Sequence, residues 1–331
     1  SKDGCGECTG IDTVDIGLVN NPVTLIDPKK GLDLSWQDPQ FVIRPKIMEG
    51  RGTANLQFKI NQYDIDLALG HNREEMEKMT NTLRPILDDT LATLKRLAIT
   101  GLASADGSLA LNTRLARNRA ASARAWLVEH LKGTRTALSP RMITADSRPE
   151  GWMPVVAAMA ADGNPDSVKV KAILEKYADS NDDVQESHIR QLDCWTDIRE
   201  KYLQKDRKVE YVYNYTIRSF TTDAELLAMY DKRPDAFNEE ELLRVATLAE
   251  GDDRKMEVYQ TITHYFPQSQ VAANNTAVLY LRQDRPEEAR KVLERVKDFS
   301  PEMLNTMAAT YVYRDDYERA VELLQDVQLP E

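Results

Sequence analysis

Soft metal ligands, surplus positive charge and long apolar runs are all scarce in this chain. Its 331 residues hold three cysteines (Cys5, Cys8 and Cys194) and four histidines (His71, His130, His188 and His264). Cys5 and Cys8 form a Cys-x-x-Cys, but no histidine or further cysteine stands at pairing distance in sequence. A structural zinc needs four ligands, so no metal site is expected. A redox pair would open a helix, where the dipole lowers the thiol pKa, whereas "CGECTGIDTVDIGLV" reads as strand. A local disulfide or two inert thiols fits better. The formal net charge of −11 has the wrong sign for sequence-independent nucleic-acid binding, which neutralises phosphates with Lys and Arg. No stretch approaches the roughly 20 apolar residues of a spanning helix, so no membrane-spanning segment is expected. An initiator Met and an apolar leader core are also missing, so the sequence reads as a processed form or a fragment of a precursor.

Catalytic constellations are missing as well. There is no Gly-x-Ser-x-Gly elbow, no His-Glu-x-x-His, no phosphate loop and no dinucleotide glycine pattern. The pairs Asp88-Asp89, Asp182-Asp183 and Asp252-Asp253 fall in helix-end or turn contexts, and adjacent helical residues do not face one another, so they make poor metal clamps. Neither an enzyme nor a cofactor is expected.

What is present divides into three segments. Residues 1–51 form a strand-rich N-terminal segment, with runs such as "TVDIGLV" and "QFVIRPKI" separated by turn signals at Asn20-Asn21, Asp27-Pro28, Asp38-Pro39 and Gly50 to Gly52; the run "LQFKI" follows. Residues 52–220 carry an α+β order. A helix starts at Asn72, with Asn72 as N-cap and Glu75 as its box partner. "LKRLAITGLAS" is a buried strand, and a helix from Ser108 has the one-face stripe Ala116, Ala120, Ala123, Leu127 and Leu131, whose small residues allow close approach to a sheet. "PRMITAD" (140–146) and "RKVEYVYNYTIRSF" (207–220) are strands, the latter the strongest such signal in the chain. An insert at about 147–205 is helical at 153–161, 166–178 and 186–203.

Residues 221–331 are helical and internally repeated. Ala246, Ala277 and Ala308 are spaced 31 residues apart, as are Ala249, Tyr280 and Tyr311, then Val258, Ala289 and Ala320, then Ile262, Leu293 and Leu324. Such a period means stacked helix pairs, each burying its apolar face on the next. "NNTAVLYLRQDRPEEARKVLE" and "LNTMAATYVYRDDYERAVELL" resemble the tetratricopeptide family, with a trimmed period and a degenerate first copy. The tail tyrosines Tyr259, Tyr265, Tyr280, Tyr311, Tyr313 and Tyr317 fit inter-helix packing better than a peptide groove. An array of this kind nevertheless presents an extended face, and a protein partner on it is expected.

The stretch "GLASADGSLALNTRLARNRA" at 101–120, followed by "DRKVE" at 206–210, resembles the OmpA-like, peptidoglycan-associated domain family over about residues 52–218. "GLASADGS" with "RPEGW" at 148–152 resembles more narrowly a Bacteroidetes-type branch of it. The resemblance implies an α/β sandwich in which a loop carboxylate and a helix arginine clamp the diaminopimelate of the peptidoglycan stem peptide by charge-assisted hydrogen bonds. Arg119 and Asn112 match the family's Arg and Asn. Ser104 stands where the family has Asp, and Asp106 is the alternative loop carboxylate, against a plain Asp-Gly turn. For Arg119 the competing expectation is a solvated helix arginine like Arg114, Arg117 and Arg124.

These readings imply a non-enzymatic protein of the periplasm or outer-membrane-associated envelope. It would tether to peptidoglycan through Arg119, Asn112 and Asp106 or Ser104, and dock a protein partner on the repeats. The alternative is a scaffold of an outer-membrane or surface complex whose OmpA-like domain has lost its ligand.

Overall fold

The computed structural model describes residues 27–59, 62–103, 108–149, 151–203, 208–325 and 327. Cys5, Cys8, Ser104, Asp106, the run "TVDIGLV" and the turn signal at Asn20-Asn21 lie outside the described residues. The fold is α+β: a four-stranded mixed sheet and, among the described residues, thirteen α-helices. Two compact units divide the chain discontinuously. One is Phe41–Leu242; the other joins residues 27–40 to those from 243 onward.

In the first unit the order is β1 (Lys46–Asn55), α1 (Asn72–Asp88), β2 (Ala92–Ala103), α2 (Leu109–His130) and β3 (Ile143–Pro149). Four insert helices follow: α3 (Met153–Ala161), α4 (Ser167–Lys176), α5 (Asp182–Ile189) and α6 (Trp195–Lys201). Then come β4 (Lys208–Ile217), α7 (Asp223–Tyr230) and α8 (Glu239–Leu248), the last crossing the boundary between units. The sheet order is β1-β4-β2-β3, with β4 antiparallel to both neighbours and β2 parallel to β3. Helices α1 and α2 pack on one face, closing a core of Leu56, Met76, Met79, Leu83, Leu97, Ile99, Ala120, Ala123 and Leu127 among others. The insert has a core of its own around Trp152, Val155, Met159, Val170, Ile189 and Ile198.

Three local expectations are corrected. Gly50 and Gly52 make no turn; they sit inside β1, opposite Tyr213 and Tyr211. A Cβ on Gly50 would lie 2.1 Å from the Tyr213 ring and one on Gly52 2.3 Å from the Tyr211 hydroxyl, so the rings of β4 occupy the space that side chains on β1 would need. "LQFKI" is not strand over residues 56–59, and of "QFVIRPKI" only Lys46 and Ile47 are. Asn72 is not the N-cap of α1, which is His71. The Asn72 side chain is buried and bridges loop backbone instead, accepting from Gln57 N at 2.7 Å and donating to the carbonyls of Gln57 and Asp66 at 2.8 Å each. Glu75 accepts from Asn55 N rather than closing a capping box.

The second unit contains α9 (Asp252–Tyr265), α10 (Gln270–Arg282), α11 (Pro286–Leu293), α12 (Pro301–Val312) and α13 (Tyr317–Leu324) beside the end of α8. The 31-residue registers fall at equivalent places: Ala246, Ala277 and Ala308 in α8, α10 and α12, and Val258, Ala289 and Ala320 in α9, α11 and α13, all six buried. Small residues at these crossings let successive helices pack closely. Side-chain caps start several helices: Ser269, Ser300 and Asp316 accept from the backbone N–H of Ala272, Met303 and Arg319. No helix among the described residues is long and apolar enough to cross a membrane.

Candidate functional site

The contact of α2 with β2 is set by one glycine. A Cβ on Gly101 would lie 1.9 Å from the Ala116 carbonyl oxygen, so the helix backbone rests directly on the strand. Asn112, Ala116 and Arg119 follow at spacings of four and three and therefore share the sheet-facing side of α2. That face buries Arg119, which is 4% exposed amid Leu115, Ala116, Ala120 and Ala123, with its guanidinium carbon 4.7 Å from the centroid of Phe58. The expectation of a solvated arginine therefore fails for Arg119, whereas Arg114 and Arg117 are exposed and Arg117 makes a surface pair with Asp146 at 3.5 Å. Asn112 is half-buried in the first turn of α2, its amide N–H donating to the Ser108 carbonyl at 3.0 Å.

The first turn of α2 also receives a carboxylate that the sequence pattern did not suggest. Asp183, in the first turn of α5, accepts from Leu109 N at 2.9 Å. It occupies one of the free amides at the positive end of the helix dipole. Beside it the Asp182 carboxyl is pushed up by burial and by the Asp183 charge. The only sequence clue was the acidic start of α5 after its N-cap Asn181, 74 residues from Leu109. A contact of that range leaves no local signature.

A second arrangement lies in the repeat unit, where residues 32–37 run across α12, α10 and α9. Asn305 Nδ2 donates to the Asp33 carbonyl and the Ser35 hydroxyl, both at 2.7 Å. Asn274 Nδ2 donates to the Ser35 carbonyl at 2.7 Å, and Thr306 Oγ1 lies 3.0 Å from the Leu34 carbonyl. Asn275 treats Gln37 as a neighbouring strand would: its Oδ1 accepts from Gln37 N at 2.9 Å and its Nδ2 donates to Gln37 O at 2.6 Å. The same Nδ2 donates to the Tyr259 hydroxyl at 2.8 Å. Burial holds the Tyr259 phenol up at about 12. Trp36 meets Tyr259 edge-on at 5.9 Å and lies beneath the Arg282 guanidinium at 4.8 Å and the Lys255 ammonium at 5.9 Å. Leu32 and Leu34 pack on the array's core. Among the tail tyrosines, Tyr259 and Tyr313 touch this N-terminal segment, the latter under Lys29 at 5.1 Å. Tyr280 and Tyr311 carry Arg285 and Arg319 on their faces instead.

No group of three or more His, Cys, Asp or Glu with metal-binding geometry occurs among the described residues. No family model matches the chain, and no curated protein is significantly similar to it.

Proposed function

We propose that the protein is a non-enzymatic, outer-membrane-associated component of the bacterial cell envelope. Its sheet unit acts as an OmpA-like domain that tethers to peptidoglycan, and its repeats act as a tetratricopeptide-like array that docks a protein partner. The observation that carries the tethering half is the burial of Arg119. A charged guanidinium taken out of water costs several kcal/mol before its contacts return any of it, and a stripe meant only for packing uses Ala and Leu, as the rest of this one does. The face of Phe58 offsets part of that cost. What such a site gains is a pre-oriented fork for a carboxylate of the stem peptide. Gly101 and Ala116 supply the close seat that fixes α2, and with it Arg119, on the sheet. Asn112, one turn from the helix start, and Asp106 or Ser104 of the preceding loop complete the proposed site.

The test is sedimentation with insoluble peptidoglycan sacculi. Wild-type protein is expected in the pellet and Arg119→Lys in the supernatant, with thermal unfolding showing that the variant is folded. Wild-type protein that stays in solution refutes the tether.

One observation favours a second reading, the scaffold whose OmpA-like unit holds no wall ligand: Asp183 already fills an amide at the start of α2. On that reading neither wild type nor Asp183→Ala sediments with sacculi. On the first, wild type sediments and Asp183→Ala still does so, because the carboxylate removed is not one of the residues of the proposed site.

A further inference from the structure

The array's groove is occupied in this chain by the chain itself, and the occupant has the properties of a ligand. No residue from 27 to 40 is buried; Leu32, Leu34 and Trp36 are half-covered while the array's own core residues Ala277, Leu281, Ala289, Leu293 and Met303 are at most 1% exposed. The segment lies on the outside of that core, where Leu32 and Leu34 rest against it and stay half-covered. The hydrogen bonds from Asn274, Asn275 and Thr306 reach backbone atoms of residues 34–37, which any sequence offers, while selectivity rests on the Trp36 box of Tyr259, Arg282 and Lys255 and on the two leucines. Ser35 sits at φ +50°, a left-handed conformation that a residue with a Cβ adopts at a cost and holds only while its surroundings enforce it. Leaving the groove relaxes it.

We propose that residues 32–37 are a displaceable strap: a tethered ligand that keeps the array's groove shut until an extended partner segment, carrying an aromatic anchor with leucines two and four residues before it, replaces them. The proposal rests on reading the repeats as a docking surface. Tethering makes the strap a strong competitor, because its covalent connection to the array through Phe41–Leu242 is taken to hold it at an effective concentration on the order of 1 mM. A free peptide of the same sequence at micromolar concentration therefore loses by roughly a thousandfold. A partner succeeds by binding more tightly or by pulling on the chain near Gln40, where Asp38, Pro39 and Gln40 are exposed.

The experiment places a protease site between Gln40 and Phe41 of the full chain and cuts after folding, so that the strap is no longer tethered. The probe is a fluorescent synthetic peptide of residues 27–40, followed by anisotropy. The expected result is that the probe replaces the freed fragment in the cut protein, binds the uncut protein at least ~100-fold more weakly, and loses binding to the cut protein when Asn275 is changed to Ala. In the uncut chain, Trp36→Ala is expected to admit the probe without cutting. Equal binding to cut and uncut protein, or failure of the probe to bind cut protein that keeps its helical circular dichroism, refutes the strap and leaves docking on another face of the array intact. Loss of helix signal on removing the fragment also refutes it, since the segment is then part of the fold. None of these outcomes touches the sacculus result, which concerns the other unit.

Discussion

Lys46 Nζ lies 2.8 Å from Glu241 Oε2, with the two side chains 4% and 3% exposed. This ion pair ties the first residue of β1 to the first turn of α8. It is fully furnished: Lys46 also donates to the Ala236 carbonyl at 2.7 Å and lies over the Phe220 ring, while Glu241 accepts from Phe220 N and Asn238 N. Asn238 in turn accepts from Glu241 N, a reciprocal cap. Burial still pulls the Lys46 ammonium below its ordinary pKa, against the pull of Glu241. Removing one partner strands a buried charge, so Lys46→Met is expected to lower stability by about 3–5 kcal/mol in urea denaturation. Lys46→Met with Glu241→Gln should recover part of that loss. A single variant costing under ~1 kcal/mol would show that the pair is solvated in solution.

Arg233 joins Asp89 and Asp235 as a double fork, 2.8 Å from each. Its hydrogen bonds hold both carboxyls below the usual range. A carboxyl whose folded pKa is depressed contributes stability above its unfolded value, about 3.9, and loses it as pH falls through the folded value. Stability measured from pH 7 downward should therefore fall from about pH 4. Arg233→Met should cost about 1–3 kcal/mol at neutral pH, and the difference between the two proteins should shrink as pH falls through the depressed folded values of Asp89 and Asp235.

Two glycines separate backbone from side-chain crowding. In Gly101→Ala the new Cβ meets the Ala116 carbonyl, which cannot move without α2, and a loss of about 1–3 kcal/mol is expected. In Gly52→Ala it meets the outer end of the Tyr211 side chain. That ring can tilt, and restricting the unfolded chain returns about 0.4–1 kcal/mol. Thermal unfolding should rank Gly101→Ala clearly below Gly52→Ala.

Asp183→Ala removes the acceptor from Leu109 N, and α2 should fray at its start. About 0.5–2 kcal/mol is expected by analogy with other N-terminal caps. Hydrogen exchange at the Leu109 amide should accelerate, while that at Ala120, deep in the same helix, stays unchanged.

Patterns that repeat or alternate locally were legible in the sequence. Two of the 31-residue registers mark equivalent buried positions, one on α8, α10 and α12 and one on α9, α11 and α13, and "RKVEYVYNYTIRSF" contains β4 at Lys208–Ile217. The alanine stripe of α2 foretold a close seat on the sheet, though not that Arg119 would share it. What escaped was what depends on distant partners. Gly50 and Gly52 look like a turn until the tyrosines of β4 are laid across them, and the helix read over 186–203 is two helices, α5 and α6. The boundary at residue 51/52 cuts β1, because nothing local distinguishes that strand from a loop. The groove residues Asn274, Asn275, Asn305 and Thr306 look like ordinary helix polarity, and only their contacts with residues 33–37, more than 230 positions away, give them meaning.

The pairing of β1 with β4 has a consequence in time. Lys46 opposes Ile217 and Asn55 opposes Lys208, so at about 5–20 residues per second the partner of β1 leaves the ribosome on the order of 10 s after it. Until then a strand of ten residues has an open edge on both sides beside Ile47 and Met48, which stay exposed even in the finished fold. The helices of the repeats need only neighbours a few tens of residues away and close quickly; the sheet closes late. For this chain the hazardous interval for aggregation is its synthesis, and a cell that makes it must keep β1 from meeting β1 of another nascent chain before β4 arrives.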